Sequence, residues 1–154
     1  MDPRRTDRAS RRIGASADRV WQAWFDPAQL VRWLPPAGMS AQLLAFDPSP
    51  GGAFRMRLTY LGPHETGGKT TPDSDEVAGR FVEITRPAGF TQDIDFVSQD
   101  PQFAGTMRMG WHFEPVPGGT LVSILCENVP PGISAEDHAE GLAASLANLA
   151  AHVE

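Results

Sequence analysis

Four polar side chains sit inside otherwise apolar, strand-like runs: Arg80, Gln92, Ser123 and Cys126. Successive strand residues point to opposite faces, so parity decides which of them enters an interior, and one inserted residue reverses the assignment. If Val82 and Ile84 face inward, so does Arg80. A guanidinium in an apolar cleft must meet a carboxylate or an anionic ligand, because an unpaired buried charge costs several kcal/mol. Arg80 is therefore the first candidate for orienting a ligand; the competing reading is a cross-strand pair with Asp93 or Asp95, or exposure at the sheet end. Asp93 and Asp95 invite an acid–base pair in which crowding raises one carboxyl. They alternate with Ile94 and Phe96, however, which points them to water near Arg55, Arg57 or Arg108.

The remaining reactive types do not converge. His64 falls in a polar loop, and His112 alternates with Trp111 and Phe113 and so faces out. His138 and His152 share the last helix but are too far apart to hold one metal. No metal and no cofactor are expected. Cys126 has no histidine placed to activate it and reads as a small buried hydrophobe. Gly51-Gly52 and Gly67-Gly68 lack the strand-to-helix setting of a phosphate loop. No catalytic motif emerges, so the leaning is away from an enzyme.

These residues must be positioned by a particular order of elements. Residues 6–13 read as a polar edge strand whose charges discourage unwanted pairing. Ser16 caps a helix carrying Val20, Trp21 and Trp24 at helical spacing to about Phe25. Asp26, Pro27 and Gln29 form a second N-terminus with a capping box, and Pro35-Pro36 ends that short helix. The period then changes to two. Strands are expected at residues 41–46, 53–61, 76–85, 90–98, 106–114 and 120–127. On the second of these strands, Phe54, Met56, Leu58 and Tyr60 share one face; Met107, Met109, Trp111 and Phe113 do so later. Residues 62–75 make a long polar hairpin loop. After Pro130-Pro131-Gly132, Ser134 caps a helix whose apolar stripe is Leu142, Leu146, Leu149 and Val153.

Composition sets the bounds. The 154 residues suit one domain, with residues 1–5 a flexible tail. A hydrophobic share of 41% and a charged share of 21% are ordinary for a globular chain, and no apolar run approaches a membrane span. The N-terminus has no apolar core of the signal-peptide kind, and a lone cysteine makes no internal disulfide, so a cytoplasmic protein is expected. The net charge of −6 argues against nucleic acid as the partner, although Arg4, Arg5, Arg8, Arg11 and Arg12 form a basic N-terminal patch.

With these elements placed, the chain resembles the START-like, or SRPBCC, superfamily, and within it bacterial domains similar to the C-terminal domain of the activator of Hsp90 ATPase. The stretches that carry the resemblance run from Ile13-Gly14-Ala15-Ser16 to Val20-Trp21, then Asp26-Pro27 with Leu30 and Trp33, then Pro50-Gly51-Gly52-Ala53-Phe54-Arg55. Residues 79–84, Phe113-Glu114-Pro115 leading to Gly118-Gly119-Thr120, and residues 142–149 complete it. The resemblance implies an α+β helix-grip: a curved antiparallel sheet around a long C-terminal helix, two short helices after the first strand, and a cavity between sheet and helix. Relatives often carry an aromatic residue early in the last helix and a Trp-Trp pair in the second short helix. Here those places read Gly141-Leu142 and Trp33-Leu34, and the smaller side chains enlarge the expected cavity.

The expected role is binding of a small hydrophobic molecule. Its lining would be Trp33, Phe54, Met56, Leu58, Tyr60, Arg80, Ile94, Phe96, Met107, Met109, Trp111, Phe113, Leu142 and Leu146, with the methionines as an adaptable wall. The gate would be residues 62–75 with Trp33 and the Pro35-Pro36-Ala37-Gly38 segment. The resemblance also implies two alternatives, a protein-interaction module that engages a chaperone or other protein and a polyketide cyclase-like enzyme. A monomer or a homodimer fits the pattern.

Overall fold

Capping chemistry sets the two short helices. The computed structural model describes residues 5–35, 38–61 and 74–154. Ser16 is extended and its hydroxyl accepts the Arg19 amide at 3.2 Å, which starts α1 (Ala17–Phe25). Asp26 closes α1 and caps α2 (Pro27–Trp33), accepting the Ala28 amide at 3.1 Å with Pro27 at the first helical position. Gln29 does not complete the expected box on the cap's backbone. Its Nε2 donates to Asp26 Oδ2 at 3.0 Å, while its Oε1 accepts from Arg19 at 2.6 Å and lies 3.0 Å from His152 Nε2. One glutamine thus ties both short helices to the last helix, α3 (Ala135–Val153). Trp33 Nε1 donates to the Ala23 carbonyl at 2.8 Å, fixing α2 against α1.

Seven strands form one antiparallel sheet: β1 (Arg5–Ile13), β2 (Met39–Phe46), β3 (Ala53–Tyr60), β4 (Ser74–Thr85), β5 (Gly89–Phe96), β6 (Thr106–Val116) and β7 (Gly119–Val129). Their order is β1-β7-β6-β5-β4-β3-β2, so the first strand pairs with the last, and α3 packs against β1, α1 and α2 on the concave side. The architecture is the α+β helix-grip. Tight connections produce the meander: Gly118, at φ 82°, permits the turn from β6 to β7 that an L side chain would strain.

Several boundaries differ from the sequence expectation. Arg5, assigned to the tail, opens β1. Ser74 and Asp75, assigned to the long loop, are buried in β4; the rest of that loop, with Pro36, Ala37 and residues 1–4, lies outside the described residues. A short helical turn at Pro101–Phe103, capped by Asp100, precedes β6 and had no counterpart in the sequence pattern.

Aromatic rings fill one end of the grip. Trp24 sits 4.6 Å from Phe90 and 5.3 Å from Trp111, and Trp21 stacks on Phe25 at 4.2 Å. Phe81 bridges Phe25, Phe46, Phe54 and Phe90. Mostly tilted and edge-to-face pairs of this kind add about 0.5–1.5 kcal/mol each beyond their burial. This plug closes one end of the concave face and leaves the other to α3.

Candidate ligand cavity

Between the sheet and the first half of α3 lies a cavity of about 570 Å³. Its sheet wall is Phe54, Met56, Leu58 and Tyr60 of β3, Val77 of β4, Gln92, Ile94 and Phe96 of β5, and Met107, Met109 and Trp111 of β6. Asp137, His138, Gly141, Leu142 and Ser145 of α3 form the helix wall, Trp24 and Leu34 the aromatic end, and Phe103, Gly132 and Ile133 the remaining side. The alternation of β3 and β6 explains the wall: every second residue of each strand shares the concave face. Leu34 and Gly141-Leu142, the two places where smaller side chains were expected to enlarge the cavity, both border it. At Gly141 an added Cβ would meet nothing within 4 Å.

Four of the residues expected in the lining are elsewhere. Arg80 is 65% exposed on the outer face, 3.6 Å from Asp93. Phe81 pairs with Gln92 and Glu83 with Thr91, so Val82 is an extra residue in β4. The bulge lets Phe81 and Ile84 both pack into the core and turns Arg80 outward. Phe113 is buried beneath α1, 6.1 Å from Trp21 and 6.2 Å from Phe90. Leu146 is buried one turn beyond Leu142, away from the cavity. Trp33 borders a separate depression of about 340 Å³, formed with Arg32, Pro35, Asn148, Ala151 and His152.

Charged groups are sorted by face. On the outside, Arg108 grips Asp93 at 2.9 and 3.1 Å, and that hydrogen bond holds the Asp93 carboxyl below its ordinary range despite partial burial. Thr106 donates to Asp95 at 2.6 Å, and Arg55 pairs with the buried Glu76 at 2.8 Å. Asp93 and Asp95 thus do no acid–base work on the cavity. Cys126 is sealed in the core, where burial, and then the nearby Asp7, push its thiol up to about 12, so it stays protonated and unreactive.

The cavity itself holds polar groups that patterning undervalued. Gln92 is 1% exposed, and its Nε2, with Trp24 Nε1 and Trp111 Nε1, has no hydrogen-bond partner among the described residues. Tyr60 has its phenol pushed up by burial and then by Asp75. His138 was set aside for want of a histidine partner, yet Asp7 lies against it with His138 Nδ1 2.6 Å from Asp7 Oδ2. Two signals pointed there: His138 lies four residues before Leu142 on the same helix stripe, and Asp7 shares the inward parity of Ala9 on β1.

Among the described residues no cluster of histidine, cysteine or acidic side chains is placed to hold a metal ion, and no helix is long and apolar enough to cross a membrane.

Known proteins share this fold. The family model described as Activator of Hsp90 ATPase homolog 1-like protein matches residues 14–154. An X-ray structure of a Chromobacterium violaceum protein superposes with a TM-score of 0.84 at 30% identity, over 97% of this chain and 96% of that one. The AHSA1 protein from Silicibacter pomeroyi aligns at 0.76 and 18% identity over 96% of both chains. The AHSA1-like protein from Aeromonas hydrophila aligns at 0.75 and 18% identity, over 97% of this chain and 92% of that one. The last two, at such low identity, attest the fold alone. Among curated proteins none matches the chain.

Proposed function

The chain belongs to the Activator of Hsp90 ATPase homolog 1-like family, and from that premise we propose that it binds a small apolar molecule between its sheet and α3. One observation carries the reading: a cavity of about 570 Å³ walled mainly by aromatic, methionine and aliphatic side chains. That volume lies in the range of small-molecule sites, and the mixture of a broad apolar wall with a few polar groups is their usual composition. Met56, Met107 and Met109 give the wall flexible, polarizable surface that accommodates more than one shape.

A ligand burying about 300 Å² of apolar surface gains about 7.5 kcal/mol at about 25 cal/mol per Å². Lost translational and rotational freedom consumes much of that gain. Shape alone therefore supports weak binding, and hydrogen bonds from Gln92, Tyr60 or His138 are needed to hold a preferred ligand. Arg80 has no part in this reading.

Native mass spectrometry of the freshly purified protein, followed by organic extraction, tests it. The expected result is a retained apolar small molecule, or a thermal shift with members of a lipid and aromatic library. An empty protein that no library member stabilises overturns the reading and favours a surface that engages a protein partner.

A further inference from the structure

His138 stands on the helix wall of the cavity, and its Nδ1 lies 2.6 Å from Asp7 Oδ2. Asp7 in turn accepts Arg5 Nε through both oxygens, at 2.8 and 3.0 Å. Arg5 Nη2 donates to the Ile133 carbonyl at 2.6 Å, anchoring the chain of contacts to the segment that leads into α3. The side chains of Asp7 and His138 are 13% and 11% exposed. Burial alone would raise the Asp7 carboxyl, but hydrogen bonds from Arg5 and His138 hold it below its ordinary range, so it is a carboxylate at neutral pH.

A carboxylate can only accept, so Asp7 favours the tautomer with its proton on Nδ1, and in that tautomer Nε2 carries the free lone pair. Among the described residues the ring's hydrogen bond is the one at Nδ1, and the ring borders the cavity. Asp137 precedes His138 on α3 and lines the same cavity, and Arg5 stands behind Asp7 on β1.

We propose that the Asp7–His138 pair is a proton-accepting site for an acidic hydroxyl, that of a phenol or an enol, on the apolar molecule bound in the cavity. The inference rests on the cavity reading above. The ligand O–H bond breaks, an N–H bond forms at Nε2, and the electron pair stays on the ligand oxygen. The imidazolium so formed is compensated by Asp7 on one side and the ligand oxyanion on the other. A phenol enters the apolar cavity uncharged and pays no ionic desolvation. A carboxylic acid arrives already ionised and must shed its hydration before it meets the site, with Asp137 nearby to repel it. An aliphatic alcohol is too weak an acid to yield the proton.

The probes are 7-hydroxy-4-methylcoumarin, whose neutral and anionic forms excite at different wavelengths, and its methyl ether, which has no proton to give. The expected result is hydroxyl binding about tenfold or more tighter than the ether, with the anion band in the bound probe at a pH where the free probe is neutral. His138→Leu abolishes both the preference and the anion band while keeping ether binding. Should that variant not fold, Asp7→Asn, which removes the compensating charge, should shrink both the preference and the anion band. Equal binding of the two probes to the unaltered protein, or an anion band that survives His138→Leu, overturns the proton-accepting site and leaves the cavity standing. Binding of neither probe overturns both.

Discussion

Arg80 and Asp93 face each other across β4 and β5 on the convex side of the sheet, with Nη2 and Oδ2 3.6 Å apart. Asp93 is already held by Arg108 at 2.9 and 3.1 Å, so Arg80 is the outer, longer and more exposed of its two partners. An exposed pair of this geometry is worth about 0.5 kcal/mol or less. Arg80→Ala should therefore shift the urea midpoint only slightly and leave probe binding in the cavity unchanged. Loss of probe binding in this variant would return Arg80 to the cavity wall.

Gly141 occupies an interior position of α3, where a new Cβ touches nothing. Gly141→Ala should stabilise the protein by about 1 kcal/mol through helix propensity alone. Gly141→Phe places a ring where the cavity opens beneath the helix, and its expected effect is a loss of apolar probe affinity without loss of stability. Titration of both variants with a fluorescent apolar dye, beside urea denaturation, separates the two effects.

Gln92 is a buried amide with an unpaired Nε2 in an apolar wall. An unsatisfied buried donor costs about 1–3 kcal/mol. Gln92→Leu keeps a similar volume and removes that cost, so its expected outcome is a higher melting temperature. A lower one would mean that an ordered water or a retained ligand already satisfies the amide.

Acid should destabilise the protein in two stages. Burial, then Arg19 and Arg32, lower the His152 pKa from 6.5, so folded His152 resists protonation. The unfolded chain takes up that proton first, and the stability contributed above pH 6.5 is lost as pH falls through the lower folded value. Asp7 and Asp93, held below 3.8 in the fold, make a contribution that is present above that value and disappears below it. Urea denaturation from pH 8 to pH 3 should show both stages. His152→Gln should flatten the first stage and spare the second; an unchanged first stage would assign it to another group.

Much of this architecture was legible because it depends on local rules. Ser16, Asp26 and Ser134 start helices where their side chains accept backbone amides. The alternation of Met107, Met109 and Trp111 does reach the concave face. Parity, however, assigns a face and not a position along it. Phe113 continues the same alternation past Trp111 yet falls under α1, where Trp21 and Phe90 leave no cavity to line. Val82 hid the bulge because an apolar residue suits either parity, and Arg80 was misassigned with it. His138 was read against other histidines along the helix. Its partner lies 131 residues away and arrives only because β1 pairs with β7 beside α3.

The indoles at the closed end of the grip also form one optical unit. Trp24 lies 5.3 Å from Trp111 and 6.0 Å from Trp33, and Trp33 lies 5.9 Å from Trp111, with interplanar angles of 67°, 77° and 72°. Transition dipoles so close and so steeply inclined mix, and mixed transitions absorb left- and right-circularly polarised light unequally, in paired bands of opposite sign. The native protein should carry such a couplet in its far-ultraviolet spectrum, superimposed on the signal of sheet and helix. A collapsed state that keeps its backbone hydrogen bonds but loses fixed ring geometry would retain the latter signal and lose the couplet.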